Sequence, residues 1–234
     1  MIVLVERAAA EGRLGLLDGE DHHLKVRRAR DGELVELRDG GGLVGRGRLV
    51  RAGGEWQVEV LDVESRPVPP ALCLAVGAGD RDRLGWVVEK AVELGVTTVV
   101  PLETDRTAGV ATRLRGGQVA RLRRQALEAV KQSGNPWACT VEEPTPLRAF
   151  LAAPPAGERW LADAAGSPPP ATLGEGACTI VIGPEGGLTH GERDAVEASG
   201  YRAVRLGPHI LRFETAAVAA AAAVQSARLR GHDG

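Results

Sequence analysis

Two segments near the C-terminus constrain the fold most, because each joins a β-branched run to a helix-like run through a glycine turn. Residues 180–187 read Ile-Val-Ile-Gly-Pro-Glu-Gly-Gly, and residues 205–217 contain the second turn. Strand-to-helix turns of a parallel sheet lie at its carboxyl edge, where α/β folds bind ligands. Glycine permits positive φ and close backbone approach, which suits a ligand pocket but also serves purely structural turns.

A proline-rich break at residues 64–70 separates two sequence patterns. Residues 1–66 contain short alternating runs separated by glycine and aspartate, which predicts a small β-barrel. Residues 67–70 are predicted to be a linker, because proline removes backbone donors and stiffens the chain. In residues 71–234 strand-like and helix-like runs alternate. This alternation predicts an α/β fold with a parallel sheet covered by helices.

Periodicity and caps predict the individual elements of the α/β part. Thr189 and Glu192 have capping-box spacing before a helix that should end at Gly200. His22 and His23 are expected in a loop of the N-terminal part. The predicted strands are 72–76, 97–102, 160–163, 178–182 and 203–206, the other predicted helices are 83–94, 118–133 and 215–229, and surface connections are expected at 143–158 and 166–177.

Composition argues against several classes of function. The net charge of −2 gives no global basic field for nucleic acid. The three cysteines lack metal-ligand spacing and are expected to be reduced, as in a cytoplasmic protein. No apolar run approaches the ~20 residues of a membrane helix. The sequence also contains no dinucleotide fingerprint, phosphate loop or nucleophile elbow.

Four motifs resemble the RsmE family. Residues 22–28, 89–96, 182–189 and 206–216 match the family's motifs in the family's order, over nearly the whole chain. Members of this family are S-adenosylmethionine-dependent methyltransferases of the SPOUT superfamily, which methylate N3 of one uridine in the decoding region of 16S rRNA. The resemblance implies a PUA-like N-terminal barrel for RNA binding, a SPOUT methyltransferase domain with a trefoil knot, a homodimer and the small ribosomal subunit as partner.

The resemblance also implies where the cofactor lies. S-adenosylmethionine would be held without a metal among three loops, which follow the strands ending near residues 163, 182 and 206. Free N–H groups at the start of the final helix would close the pocket. The implied cofactor-binding residues are Leu161, Asp163, Gly183, Pro184, Glu185, Gly186, Gly187, Leu206, Gly207, Ile210, Leu211, Thr215 and Ala216.

Arg212 and Glu214 are the candidate catalytic residues. The donor fork of Arg212 suits negative charge on the uracil carbonyl oxygens, although an ion pair with Glu214 or a phosphate contact is an alternative. Either Glu185 or Glu214 is a candidate acceptor for the N3 proton, while a carboxylate near a helix terminus also serves as a structural acceptor. The sequence leaves these alternatives open.

Two groups of basic residues are candidate RNA contacts. The first consists of His23, Arg27, Arg28 and Arg30, and phosphate contacts of this kind make binding salt-dependent. The alternative is an ordinary solvated surface in an arginine-rich protein. The second group, in residues 113–124, consists of Arg113, Arg115, Arg121, Arg123 and Arg124.

Three residues depart from the family's pattern. His209 stands where an arginine is expected, Phe213 where a threonine is expected, and Lys131 where an acid is expected. Two rival functions also fit the sequence: a cofactor-binding ribosome-assembly factor without turnover, and a tRNA methyltransferase on the SPOUT scaffold. The Ala-rich final helix would pack against a partner subunit, inside the knot or in the core.

Overall fold

The computed structural model describes residues 1–6, 12–77, 79–107, 114 and 116–232, which form two compact units. The first unit contains Met1–Val68 and Leu127–Ala138, and the second contains Pro69–Ala126 and Cys139–Gly234. The functional domains expected from the sequence, at residues 1–66 and 71–234, stay a prediction. Among the described residues, no helix has the length and apolar character needed to cross a membrane.

The first unit is built on a sheet that closes on itself. The end strands are joined by backbone hydrogen bonds from Leu17 N to Leu4 O and from Glu6 N to Gly15 O, both 3.0 Å long. Closure surrounds a core that includes Leu37 and Trp56, so the predicted small barrel is confirmed. The strands are β1 (Ile2–Leu4), β2 (Arg13–Gly15), β3 (Leu34–Arg38), β4 (Leu43–Ala52) and β5 (Glu55–Ser65), in the order β1-β3-β4-β5-β2.

A short helix, α1 (Glu20–Val26), carries His22 and His23, so the expected loop at these residues is wrong. Its end is closed by Arg28, which has a left-handed φ of 55°. Ala29 N donates to Leu24 O at 3.0 Å and Arg28 N donates to Lys25 O at 3.1 Å. This is a Schellman motif with arginine at the position that usually holds glycine.

The second unit is a parallel sheet with helices. All neighbouring strands in it pair in parallel, as predicted. The strands are β6 (Leu72–Val76), β7 (Thr98–Glu103), β8 (Thr140–Val141), β9 (Thr145–Pro146), β10 (Glu158–Ser167), β11 (Cys178–Ile182) and β12 (Arg202–Val204). Their order is β12-β10-β11-β6-β7-β8, with β9 paired to β7.

The helices after α1 agree with the sequence analysis in number and order except at one place. The predicted capping box is present, because Thr189 N donates to Glu192 Oε2 at 2.8 Å and Glu192 N donates to Thr189 Oγ1 at 3.3 Å. Residues 147–152, expected in a surface connection, form a helix instead. The helices after α1 are α2 (Arg81–Glu93), α3 (Gly116–Ser133), α4 (Leu147–Ala152), α5 (His190–Ala198) and α6 (Phe213–His232).

The strand order fixes where a ligand can bind. Because β10 lies between β11 and β12 and all three run in parallel, their carboxyl ends meet at one edge of the sheet. The core beneath this edge is apolar and includes Leu161 and Val181. The strands are therefore firmly packed, and the loops that follow them are free to line a site.

Candidate functional site

A cavity of about 690 Å³ lies at the carboxyl ends of β10, β11 and β12. Its walls are the end of β10, the residues after β11 and the loop before α6, with Arg83 from α2 and Arg193 from α5. The volume is typical of small-molecule sites, which are usually about 300–1,000 Å³. The cavity therefore has the location and size of a cofactor site.

The first wall is the glycine turn, residues 183–187. Gly187 N donates to Pro184 O at 2.7 Å, and Gly187 has a φ of 73° that favours glycine. Gly77, at the end of β6, lies directly against this turn: a Cβ there would come within 2.8 Å of Pro184 Cδ. Gly77 N donates to Ile182 O at 2.8 Å. Gly77 thus lets the end of β6 support the glycine turn, a role that the sequence analysis missed.

The second wall is the loop before α6. Ile210 is 91% exposed, while Phe213 is only 3% exposed and begins the helix. Arg212 is exposed, lines the cavity and accepts a 2.8 Å hydrogen bond from Ala216 N through its carbonyl oxygen. Arg212 is therefore an exposed residue beside the cavity, and its backbone belongs to the first turn of α6.

The cavity brings together most of the predicted cofactor residues. Gly186 and Thr215 are the exceptions: both are exposed and lie outside the lining. The predicted residues that do line the cavity are Leu161, Asp163, Gly183, Pro184, Glu185, Gly187, Leu206, Gly207, Ile210, Leu211 and Ala216. Contact of these residues with a cofactor stays a prediction.

Two arginines that line the cavity were not predicted from the sequence. Arg193 Nη1 lies 2.9 Å from Asp163 Oδ2, and Ala165 N donates to Asp163 Oδ1 at 2.7 Å. The Asp163 carboxylate is thus held in place rather than free. Arg83 Nη1 lies 3.5 Å from Glu214 Oε1 and its Nε lies 3.6 Å from Asp80 Oδ2. Neither arginine stands in a glycine motif, so local sequence gave no signal for them.

Glu214 is paired with Arg83 rather than with Arg212. Its side chain is 15% exposed, and its Oε2 atom is buried without a hydrogen-bond partner in the described part of the chain. Within that part, no ion pair holds Arg212, so the alternative of an Arg212–Glu214 pair is not found. Glu214 also lies outside the cavity lining. The free oxygen of Glu214 is a buried acceptor that lacks a donor.

Other reactive groups in the second unit are poorly placed for chemistry. Burial raises the pKa of each thiol, Cys73, Cys139 and Cys178, to about 12, so all three are protonated near neutral pH. Across the described residues, no group of three or more His, Cys, Asp or Glu side chains is arranged to hold a metal ion. The cavity is the candidate site that remains.

The residues predicted to contact RNA differ in exposure and in whether other groups of the protein hold their side chains. Arg27, Arg28 and Arg30 are exposed, and His23 is half-buried on α1. On α3, Arg123 donates to Val141 O at 2.8 Å and pairs with Glu143 at 3.1 Å, so it is held by its own unit. Arg121 and Arg124 are exposed on the same helix, whereas Arg113 and Arg115 lie outside the described residues.

Comparison with known proteins assigns the family. The family described as RNA methyltransferase domain matches residues 66–225. A relative from Mycobacterium bovis, ribosomal RNA small subunit methyltransferase E, is 30% identical over 244 residues, which cover 96% of this chain and 90% of the relative. The chain belongs to the RsmE family of RNA methyltransferases. The Aquifex aeolicus member is 27% identical over 214 residues, covering 87% of this chain and 90% of that protein.

A solved RsmE structure shares the whole fold. The enzyme from Neisseria gonorrhoeae, crystallised with S-adenosyl methionine bound, has a TM-score of 0.86 and 28% identity, with 97% of each chain covered. This match and the observed strand order confirm the predicted fold class: an α/β methyltransferase sheet of the SPOUT type preceded by a small barrel.

Proposed function

We propose that this chain transfers the methyl group of S-adenosylmethionine to N3 of a uridine in 16S rRNA of the small ribosomal subunit. The observation that carries the proposal is the cavity at the ends of β10, β11 and β12, whose walls are the glycine turn and the loop that presents Arg212. RsmE relatives are named for modification of small-subunit rRNA, and one was crystallised with this cofactor.

The residues of the cavity fit such a cofactor. The lining combines apolar side chains, among them Leu161, Leu206 and Leu211, with backbone groups of the glycine turn. Backbone N–H and C=O groups suit the polar edge of an adenine, and the leucines suit its faces. When bound, S-adenosylmethionine supplies a methyl group on a positively charged sulfur. The protein must then position the uracil and manage its N3 proton.

The side chain of Arg212 is available to contact the substrate during methyl transfer. Because it is exposed on the cavity and unpaired within the described residues, its guanidinium is available to donate to a uracil carbonyl oxygen, where negative charge develops as N3 loses its proton. Two carboxylates are candidates to accept that proton. Glu185 lines the cavity, while Glu214 has a buried free oxygen next to Arg212 in sequence.

One assay tests the function and its rivals. The protein is incubated with methyl-labelled S-adenosylmethionine and, separately, unmodified small subunits, free 16S rRNA and tRNA, and the labelled base is mapped. We expect N3-methyluridine in 16S rRNA of the small subunit. Label only in tRNA would favour a tRNA methyltransferase, and cofactor binding without transfer to any substrate would favour an assembly factor. Either result would overturn the proposal.

RNA docking is proposed for the exposed arginines around the end of α1 and on α3. Arg28 gives the strongest support, because a side chain at φ 55° costs about 1 kcal/mol that glycine would avoid. A structural role alone does not explain an arginine there. Within the described residues, no ion pair holds the side chains of Arg27, Arg28 and Arg30, so all three are available for phosphates.

Replacing Arg28 by glycine should separate stability from RNA binding. We expect Arg28→Gly to raise the free energy of unfolding by up to about 1 kcal/mol and yet weaken RNA binding. Neutralising Arg27, Arg30, Arg121 and Arg124 as well should lower the slope of log affinity against log salt by about 0.7–0.9 per lost phosphate contact. Arg46→Gln is the control, since Arg46 is already paired with Asp62 at 2.6 Å. Unchanged affinity and slope in the combined variant would refute this docking.

A homodimer acting in the cytoplasm completes the proposal. Support comes from large apolar side chains that two helices of the second unit leave exposed: Trp86 on α2 at 44% and Leu229 on α6 at 67%. A second subunit would cover such side chains if they belong to one apolar surface. Sedimentation equilibrium at micromolar concentration should give twice the chain mass, and a monomer throughout that range would contradict the dimer.

A further inference from the structure

The turn that follows β7, residues 104–107, is tightly built. Thr104 N donates to Thr107 Oγ1 at 2.8 Å, and Thr107 N donates to Thr104 O at 3.0 Å. Thr104 is 3% exposed and Thr107 is 8% exposed, so both anchors are buried. We call residues 104–107 the β7 turn. Its two middle residues, Asp105 and Arg106, are exposed and are presented by this rigid frame.

Arg106 reaches from the β7 turn to the glycine turn. Its Nη1 atom donates to Gly186 O, and a Cβ on Gly186 would come within 3.2 Å of Arg106 Cδ. A Cβ on Gly187 would lie 3.6 Å from Arg106 Nη1. The guanidinium and its stem therefore lie along the glycine pair, of which Gly187 lines the cavity and Gly186 does not. This contact gives Gly186 a place in the support of the turn although it does not line the cavity.

A second link joins the same two turns through Glu192. Asp105 N donates to Glu192 Oε1 at 2.8 Å, while Thr189 N donates to Glu192 Oε2 at 2.8 Å. Thr189 Oγ1 lies 3.4 Å from Asp105 Oδ2. One carboxylate thus caps α5 and holds the β7 turn at the same time. The chain that leaves the glycine turn is fixed at both sides, at Gly186 by Arg106 and at Thr189 by Glu192.

We propose that Arg106 is a positioning residue that holds the glycine turn in its cofactor-binding conformation before the cofactor arrives. The inference rests on the proposed function, because it assigns Arg106 to the same cofactor site. A turn with three glycines in five residues loses much conformational freedom when it is ordered. A contact that orders it in advance removes that cost from binding. Arg106 should therefore act on cofactor affinity and leave the methyl-transfer step nearly unchanged.

Hydrogen exchange of the cofactor-free protein tests the positioning directly. In Arg106→Ala we expect amides of residues 183–189 to exchange at least about threefold faster than in the unaltered protein, because local opening becomes easier. Exchange elsewhere in the sheet should be unchanged. The matched control is Arg148→Ala, which removes an exposed arginine of α4 in the same unit. Equal exchange at 183–189 in both variants would overturn the proposal, whether or not the cofactor binds.

Cofactor affinity supplies the second measurement. Arg106→Ala removes one hydrogen bond from a charged donor, so calorimetry should show S-adenosylmethionine binding weakened about tenfold. The KM for the cofactor should rise by about the same factor, and kcat should stay within about threefold of the unaltered protein. Arg106→Lys should restore part of the affinity, since lysine keeps the charge but not the fork. Glu192→Gln should act in the same direction, because an amide has one acceptor oxygen for two donors. A fall in kcat with unchanged KM would contradict positioning, and failure of the unaltered protein to bind the cofactor would refute the proposed function instead.

Discussion

Arg212→Ala is expected to lower the rate of methyl transfer by about 100- to 1,000-fold at saturating cofactor and RNA, the usual loss when one donor to a developing oxyanion is removed. The backbone of Arg212 accepts a hydrogen bond from Ala216 N, and alanine keeps that bond. The side chain is exposed, so its truncation leaves no cavity in the core. The loss should therefore appear in single-turnover rates, with the cofactor dissociation constant within about threefold.

Companion variants separate charge, geometry and proton transfer. Arg212→Lys should fall between arginine and alanine, because it keeps the charge but loses the planar fork. Glu185→Gln and Glu214→Gln identify the proton acceptor, since only the variant of the true acceptor should lose the ascending limb of the pH–rate profile. Arg148→Ala serves as the control for loss of an exposed arginine. A near-normal single-turnover rate for Arg212→Ala would remove Arg212 from the chemistry and favour a role in phosphate contact.

The fold was predictable where the signals are local. Residues 178–182 were predicted as a strand and form β11 with those bounds, because an apolar β-branched run ends at a glycine. The spacing of Thr189 and Glu192 likewise marked the start of α5, because a capping box is also a local signal. The helices α1 and α4 were missed, since seven and six residues are too few for a clear helical period.

The turns that line the candidate site were predictable from the sequence, whereas the residues that hold those turns in place were not. Glycines and the residues beside them identified both walls of the cavity. The groups that hold those walls are distant in sequence: Arg106 reaches Gly186 across 80 positions, and Asp105 reaches Glu192 across 87. Such pairs leave no local pattern, and one arginine among many carries little information. The same holds for Lys131, an unexpected residue whose partner only the structure reveals.

Lys131→Ala is expected to lower the free energy of unfolding of the first unit by about 3 kcal/mol, the typical cost of leaving a buried charge without its partner. Lys131 Nζ lies 2.6 Å from Glu20 Oε1, and the side chains are 6% and 2% exposed. Glu128, at 2.7 Å, is 57% exposed and contributes less. Glu20 Oε2 also accepts a 3.4 Å hydrogen bond from Leu4 N, which cannot replace the lost cation. Hydrogen exchange of the amides of β3 and β4 in increasing urea measures the change, because these strands belong to the first unit.

The pH dependence of the stability that Lys131 contributes follows from the direction in which its pKa is shifted. Burial opposes the charged form of Lys131, but hydrogen bonds to Glu128 and Glu20 outweigh it and raise the pKa of this lysine above its ordinary 10.5. A raised pKa means that the folded state holds the proton more tightly, so the contribution is complete at neutral pH and is lost as pH rises through the folded pKa. Between pH 7 and 9 the difference between the unaltered protein and Lys131→Ala should therefore stay constant.

A double variant decides whether the buried charge is the cause. Glu20→Gln combined with Lys131→Met removes both charges, and we expect its free energy of unfolding to lie within about 1 kcal/mol of the unaltered protein. Lys25→Ala is the matched control in the same unit, because Lys25 forms an exposed pair with Asp21 at 2.8 Å, and it should cost less than about 1 kcal/mol. If the single Lys131 variant is no less stable than Lys25→Ala, the pair with Glu20 does not stabilise the barrel. If the double variant is as unstable as Lys131→Ala, lost packing of the lysine stem explains the effect better than the unpaired carboxylate.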